Sequence, residues 1–284
     1  MTSPTDSAAT WFITGTSRGL GLALVRHLLG RGDRVAATTR STERLLAALD
    51  GVPTGGLLAL EVDLTDPDSV RTAVSEATTR FGAIDVVVNN AGYGYLGAVE
   101  DTSDADVRRM LDVQVAGTWN VLREVLPGMR AAGSGHVITV SSILGLLAFP
   151  GWGLYCAAKF AVEGLTESLA GEVADHGIRV TIVEPGYFDT DFLRASSLEV
   201  AADTGDAYPA IASMIEQHRA MPGTQPGDPV RAARAIALIA ARADGPLRQQ
   251  LGSDSSAMAA ERATALASDV ATARDLALTT DKAR

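Results

Sequence analysis

One stretch near the start of the chain limits the fold more than any other. Residues Trp11 to Gly21 read Trp-Phe-Ile-Thr-Gly-Thr-Ser-Arg-Gly-Leu-Gly. Trp11, Phe12, Ile13 and Thr14 have the character of a short buried strand. Gly15, Gly19 and Gly21 follow at the spacing G-x-x-x-G-x-G, and a helical apolar period begins at Leu20, Leu22, Val25, Leu28 and Leu29. A strand that runs through such a turn into a helix brings backbone close to a bulky anion. Glycine tolerates positive φ there, and the free N–H groups and dipole of the helix start favour a pyrophosphate. The same pattern also serves as a plain strand-to-helix connection, so the rest of the chain has to decide.

The remaining sequence alternates strand-like and helix-like segments. Strands are predicted over residues 34–39, 57–64, 84–89, 136–141, 179–183 and 247–251. Helices are predicted over 43–49, 66–80, 103–130 with an interruption at Pro127, 154–175 and 228–242. Asp66-Pro67 and Asp228-Pro229 each pair an N-cap with proline at the first helical position. Residues 187–227 read as irregular or as short helical pieces. This alternation predicts a single-domain α/β fold, a doubly wound parallel sheet (a Rossmann fold) of about seven strands with helices on both faces. The expected layout is a flexible tail over 1–9, the sheet domain over 10–252 with a substrate loop over about 187–227, and a C-terminal helical extension over 253–284.

Charge and cysteine content exclude several classes. A net charge of −10 without clustered Lys and Arg argues against a nucleic-acid surface. Cys156 is the single cysteine, which rules out an internal disulfide and suits a reducing compartment. Residues 1–10 lack a basic-then-apolar leader pattern. The longest apolar run, 143–155, is broken by Gly145, Pro150, Gly151 and Gly153 and falls short of the ~20 residues of a membrane span. A cytoplasmic protein with no membrane segment is expected. His27, His136, His176 and His218 show no ligand spacing, so no metal is expected.

Ligands of doubly wound sheets bind beyond the carboxyl ends of the strands. That filter selects Thr14 to Gly21, Thr39 with Arg40, Asp63, Asn89 to Gly92, Ser141 with Ser142, and Pro185 to Thr190. A carboxylate at position 39 would hold the adenosine ribose diol of NAD, but Thr39 stands there, with Arg40 beside it and Arg18 in the glycine turn. Two guanidinium groups suit a 2′-phosphate, which favours NADPH over NADH; as solvated surface charges they would signify nothing. Tyr155 and Lys159 lie four apart on a predicted helix and share a face. An ammonium near a phenol lowers the phenol pKa toward working pH, as a proton donor to a carbonyl requires, and Ser142 can donate to the same oxygen. Taken alone, the Tyr-x-x-x-Lys pair is an ordinary helix-surface contact.

These motifs do not stand alone. Thr14-Gly15 with Gly19 and Gly21, Asp63, Asn89-Asn90-Ala91-Gly92, Ser142, Tyr155 to Lys159, and Pro185-Gly186 with Thr190 follow the order and spacing of the short-chain dehydrogenase/reductase family, which the chain resembles over roughly residues 10–250. Within it the chain looks most like hydroxysteroid and retinol dehydrogenases and bacterial carbonyl reductases. The resemblance implies that Gly15, Gly19 and Gly21 hold the pyrophosphate side and Asp63 the adenine amino group. It implies Asn89 and Gly92 for the ribose and sheet edge, Lys159 for the nicotinamide ribose, and Thr190 for the carboxamide. Ser17, Leu20, Leu64, Ala91, Pro185 and Gly186 complete the implied cofactor contacts. Tyr155 would be the acid/base, Ser142 would orient the carbonyl, and a homodimer or homotetramer through the helices at 103–130 and 154–175 is implied.

One position departs from the family. Its usual catalytic asparagine, in an Asn-Val-x-Gly setting, is Gln114 here, in Gln114-Val115-Ala116-Gly117. The same amide sits one methylene further out, where it can displace the water relay that serves the lysine. Tyr93, Tyr95, Leu144, Phe149, Trp152, Tyr187 and Phe188 flank the site and would either form an apolar substrate pocket or simply belong to the core. The expected activity is an NADP(H)-dependent interconversion of a ketone or aldehyde with an alcohol on an apolar small molecule. The alternatives are an NADPH-binding regulator with little turnover, which Gln114 favours, and a sugar-nucleotide epimerase or dehydratase, which the chain length and glycine spacing disfavour.

Overall fold

The computed structural model describes residues 8–202 and 207–282. The parts of the expected tails and loop that fall on 1–7, 203–206 and 283–284 lie outside the described residues. The sheet strands are β1 (Thr10–Thr14), β2 (Arg34–Thr39), β3 (Leu57–Glu61), β4 (Val86–Asn89), β6 (Gly135–Val140), β7 (Ile178–Pro185) and β9 (Arg248–Leu251). They form one seven-stranded sheet in the order β3-β2-β1-β4-β6-β7-β9, with every neighbouring pair parallel. The order reverses between β1 and β4, which opens a crevice beyond their carboxyl ends.

Every residue of β1 is buried because helices cover both faces. On one face, Ile13, Val35 and Val88 pack with Leu24, Val25 and Leu28 of α1 (Gly19–Arg31) and with Ala233, Ile236 and Ala237 of α8 (Pro229–Ala241). On the other, Phe12, Ala36 and Val87 pack with Val70 and Val74 of α3 (Pro67–Phe81) and with Val121 and Val125 of α5 (Gly117–Ala132). The period-2 alternation of side chains along each strand divides the apolar residues between these two layers. Side-chain caps start the helices as the sequence suggests. Asp66 accepts from Asp68 N, and Asp228 from Val230 N and Arg231 N, while Ser41 accepts from Arg44 N at the start of α2 (Thr42–Ala48).

Three local expectations are corrected. The long helix predicted over 103–130 is two helices, α4 (Asp104–Leu111) and α5, joined by a π-helical turn over Asp112–Ala116. Pro127 lies inside α5 and does not end it, so the break is the π turn, not the proline. The strand predicted over 57–64 stops at Glu61, because Asp63 turns the chain by accepting from Thr65 N and Thr65 Oγ1. Residues 187–227 contain regular structure: β8 (Leu198–Val200) pairs in parallel with β5 (Gly94–Leu96), and α7 (Pro209–Ala220) follows. Arg109 of α4 ties this segment down by donating to Glu199 of β8 at 2.6 Å.

α6 (Gly153–Glu172) crosses behind β6 and β7, and α9 (Ser253–Leu278) closes the chain. The first turns of α9 are anchored by Ser255, whose hydroxyl donates to Glu184 O, and by Arg262, which donates to Leu146 O. Its later residues Leu266, Val270, Leu276 and Leu278 are exposed. No helix among the described residues is long and apolar enough to cross a membrane.

Candidate active site

A cavity of about 310 Å³ lies beyond the carboxyl ends of β1, β2, β4, β6 and β7 and reaches under the segment after β7. Its size falls in the range of small-molecule sites. The glycine turn forms one wall. Gly15 has φ +71° and Gly19 +58°, and a Cβ on Gly15 would lie 2.7 Å from Ala91 Cα. Only glycine lets the turn and the strand-end loop approach this closely. Ser17, Arg18, Gly19 and Leu20 line the cavity, so the N-terminal N–H groups of α1 face it.

Gly21 has a different part from the one expected. It does not line the cavity; a Cβ there would strike Gly15 O and the Asn90 amide, which makes it a packing glycine beneath the turn. Asn89 is likewise corrected: it is buried below the cavity floor, and Asn90 lines the cavity instead, donating through Nδ2 to Thr14 O and Gly15 O at 2.9 and 3.0 Å. Asp63, Leu64, Ala91, Gly92, Pro185, Gly186 and Thr190 all line it.

Beyond β2, at one end of the crevice, three arginines gather. Arg18, Arg40 and Arg44 line the cavity, and burial, with smaller contributions from Arg40 and then Arg44, holds the Arg18 guanidinium below its ordinary pKa. The carboxylate nearest in effect, Asp191, is paired with Arg194 at 3.0 Å. Position 39 itself carries a hydroxyl and not a carboxylate, and Thr39 Oγ1 accepts from Ser41 N. A concentration of positive charge with such weak compensation fits a phosphate. Arg44 was not singled out from the sequence. It lies on the first turn of α2, and only the Ser41 cap that sets the direction of that helix brings it beside Arg40.

Ser142, Tyr155 and Lys159 meet on the same cavity, beyond β6. Ser142 caps a short 3₁₀ turn by accepting from Leu144 N at 3.1 Å, which fixes its hydroxyl at the rim. Lys159 Nζ donates to Val140 O at 3.1 Å and lies 5.5 Å from the centre of the Tyr155 ring. Burial lowers the Lys159 ammonium to about 8, and Glu163 opposes that shift. Burial raises the Tyr155 phenol well above its ordinary range, only partly offset by the nearby Ser142 hydroxyl. The lowered phenol pKa expected from the sequence is therefore not a property of this geometry. Dehydration of the site acts on Tyr155 more strongly than the Ser142 hydroxyl does.

Gln114 does not line the cavity. It sits in the π turn, 1% exposed, with Nε2 donating to Tyr93 O at 2.9 Å and touching Met110 Sδ. Its Oε1 has no hydrogen-bond partner among the described residues and points to the side of Gly92 where Lys159 Nζ also lies. The widened helical turn, a feature often found at functional sites, is what directs this side chain inward.

The opposite wall is apolar and aromatic. Tyr93, Leu144, Phe149, Trp152, Tyr187 and Phe188 line it, and Trp152 stacks edge-on to Tyr155 at 5.5 Å. Phe192 and Met258 join them from the segment after β7 and from α9, contributions that no local pattern announces. Tyr95 does not take part. It is buried in the core, and its hydroxyl donates to Asp106. No three of His, Cys, Asp or Glu gather as a metal site among the described residues.

The chain resembles known proteins in both sequence and fold. The model of the short chain dehydrogenase family matches residues 9–200. The chain is 36% identical over 268 residues to oxidoreductase BOA17 of Botryotinia fuckeliana, covering 94% of this chain and 97% of that one. It is 34% identical over 244 residues to a 3-ketodihydrosphingosine reductase of Bacteroides thetaiotaomicron, covering 84% and 86% of the two chains. A short-chain dehydrogenase from Streptomyces avermitilis superposes with a TM-score of 0.88 at 35% identity over 97% of this chain and all of that one. An alcohol dehydrogenase from Thermococcus sibiricus, complexed with 5-hydroxy-NADP, superposes with a TM-score of 0.70 at 26% identity over 86% and 96%. The crevice, the glycine turn and the Ser142, Tyr155 and Lys159 group thus sit on a framework held in common with these proteins, and the chain belongs to the short-chain dehydrogenase family of oxidoreductases.

Proposed function

We propose that the protein interconverts a ketone or aldehyde and an alcohol on an apolar small molecule, with NADPH preferred over NADH. One observation carries this reading: Ser142, Tyr155 and Lys159 converge at the end of a cavity whose far end is lined by three arginines. NADP in the description of a structural neighbour supports the cofactor class. The turn at Gly15 to Leu20 would receive the pyrophosphate, Arg18, Arg40 and Arg44 the 2′-phosphate, and Asp63, Asn90, Lys159 and Thr190 would lie along the rest of the molecule. When bound, the nicotinamide supplies or accepts the hydride.

Tyr155 gives its phenolic proton to the carbonyl oxygen as negative charge develops there, and takes it back from the alcohol in the reverse direction. Its raised pKa keeps that proton in place at neutral pH. Ser142 donates a hydrogen bond to the same oxygen and orients the carbonyl. Lys159, charged below about pH 8, stabilises the phenolate that forms. Trp152, Phe149, Tyr187 and Phe192 exclude water and hold an apolar substrate body.

The reading includes a cytoplasmic protein that pairs through α5 and α6, where Trp119 and Phe160 stand about half exposed. Sedimentation tests the pairing. The activity is tested by following NADPH oxidation against a panel of ketones and aldehydes, with NADH and Tyr155→Phe alongside. Turnover that vanishes in the variant and weakens with NADH supports the reading. NADPH binding without turnover on any carbonyl would favour a regulatory role.

A further inference from the structure

The turn between α7 and α8 carries a buried amide with one end unused. Gln225 is 7% exposed and lines the cavity. Its Oε1 accepts from Gly223 N at 2.8 Å and from Thr224 N at 3.1 Å. These two backbone donors fix which end of the amide is oxygen, because an NH2 group could accept from neither. Nε2 is therefore a donor, and it has no hydrogen-bond partner among the described residues. A buried donor left unpaired is costly, and folded proteins seldom keep one without a use for it. Two of the buried, unpartnered side chains line the cavity, Gln225 and Ser141, and the Ser141 hydroxyl lies instead beside Gly145 and Glu163.

The surroundings of Gln225 hold it in place. Thr224 N and Thr224 Oγ1 both donate to Met221 O, at 2.8 and 2.7 Å, which closes the turn after α7. Two residues beyond Gln225 the chain docks on the segment after β7. Gly227 N donates to Tyr187 O at 3.0 Å, and Asp189 N donates to Gly227 O at 2.8 Å. A Cβ on Gly227 would lie 2.6 Å from Tyr187 O and from the Phe188 ring, so only glycine allows this docking. Gln225 thus stands on a turn fastened to Tyr187 and Phe188, which line the same cavity.

The hydroxyl of Tyr187 is already committed. His218 Nδ1 lies 2.8 Å from Met214 O, which can only accept, so the neutral ring carries its proton on Nδ1 and accepts at Nε2. Tyr187, whose hydroxyl lies 3.0 Å from that Nε2, donates its proton there and keeps none for a ligand. Phe188, Phe192 and Met258 beside it on the wall have no donor to give. The free N–H of Gln225 is shielded from water, so a hydrogen bond made there by a substrate oxygen has no solvent competitor.

We propose that Gln225 Nε2 donates a hydrogen bond to a second oxygen of the substrate, remote from the reacting carbonyl, so that the protein selects dicarbonyl or hydroxycarbonyl compounds over monoketones of the same apolar body. The inference rests on the reading of this cavity as a carbonyl site. A carbonyl or hydroxyl oxygen qualifies because it carries lone pairs, whereas an ammonium group has donors only and is refused. The reacting atoms are elsewhere, so the contact is equally strong in the ground and transition states and acts on KM more than on kcat.

The test uses the full chain saturated with oxidised NADP, which cannot reduce a ketone. The probes are straight-chain saturated monoketones and the diketones that carry a second carbonyl moved stepwise along the same chain. Trp152 lines the cavity, so quenching of tryptophan fluorescence reads binding without turnover. At its best position the second carbonyl should tighten binding to wild type about tenfold. With NADPH it should lower KM by a similar factor and leave kcat within about twofold. Gln225→Glu keeps an oxygen for Gly223 N and Thr224 N but replaces the donor with another acceptor, so the preference should vanish or reverse. Gln225→Met removes the donor at similar volume and should bring the ratio near one. A ratio measured within one preparation cancels any loss of folded protein, so a purely structural role of Gln225 would leave it unmoved. Indifference of the wild type to the second carbonyl at every position, or an unchanged preference in both variants, would overturn the proposal. Should Gln225→Glu fail to fold, Gln225→Met decides in the same way. A binding preference that depends on Gln225, with no turnover of any carbonyl, would support this proposal and sink the reductase reading, which separates the two failures.

Discussion

The Lys159 ammonium nitrogen lies 5.5 Å from the centre of the Tyr155 ring, one helical turn further along α6, and is tied to the sheet by Val140 O. Both groups are buried, and burial moves them in opposite directions: the phenol up, the ammonium down to about 8. Reduction needs the phenol protonated and the lysine charged. Activity should therefore hold below about pH 8 and fall as pH rises through it, an alkaline limb set by Lys159. Glu163 raises the Lys159 pKa, so Glu163→Gln should move that limb to lower pH. A kcat/KM profile between pH 6 and 10 measures both.

The arginine group beyond β2 predicts cofactor discrimination. Arg44→Ala and Arg40→Ala should each weaken NADPH binding about tenfold and leave NADH binding nearly unchanged, since a charge-assisted hydrogen bond contributes about 1.5–3 kcal/mol. Thr39→Asp should act in the opposite sense, repelling the 2′-phosphate and offering an acceptor to the ribose diol. Fluorescence titration of both cofactors against each variant measures the ratio. Equal loss for NADPH and NADH would show that these side chains do not read the phosphate.

Gly21→Ala should cost about 1–3 kcal/mol of stability without any direct contact with ligand. The added methyl would strike Gly15 O and the Asn90 amide, whose two hydrogen bonds hold the turn against the end of β4. Urea unfolding measures the loss. Weaker NADPH binding should accompany it, because the same turn faces the cavity.

Two buried groups should give stability opposite pH slopes in nearly the same window. His136, its Nε2 at 2.9 Å from Thr181 Oγ1, is pushed down to about 4 by burial. Between about 4 and its unfolded value near 6.5 the unfolded chain binds more protons, so this contribution is lost as pH falls. Glu184 is pushed up to about 7 by burial. Between its unfolded value near 4.3 and about 7 the folded chain binds more protons, so this contribution is lost as pH rises. Thermal unfolding from pH 4 to 8 should show a steeper loss toward acid in Glu184→Gln and a shallower one in His136→Gln.

The local order of the chain was legible because it is written in short-range chemistry. Apolar strands, the Asp-Pro caps and the helical period after Gly19 depend on neighbouring residues, and the seven-stranded parallel sheet follows from their alternation. The Tyr155 and Lys159 pair was legible for the same reason, since spacing of four on a helix fixes a shared face. What the tertiary structure decided are relations between distant segments. The π turn at Gln114, the pairing of β8 with β5, Asn90 rather than Asn89 at the cavity, and Arg44 beside Arg40 arise from packing between elements. So does the gathering of Glu163, Glu167 and Glu184 around Arg248, which joins one helix to two strands more than sixty residues apart in the chain. Periodicity constrains which face a residue takes. Only the folded chain determines what that face meets, because burial, and with it the charge of Tyr155 and Lys159, is a property of everything packed around them.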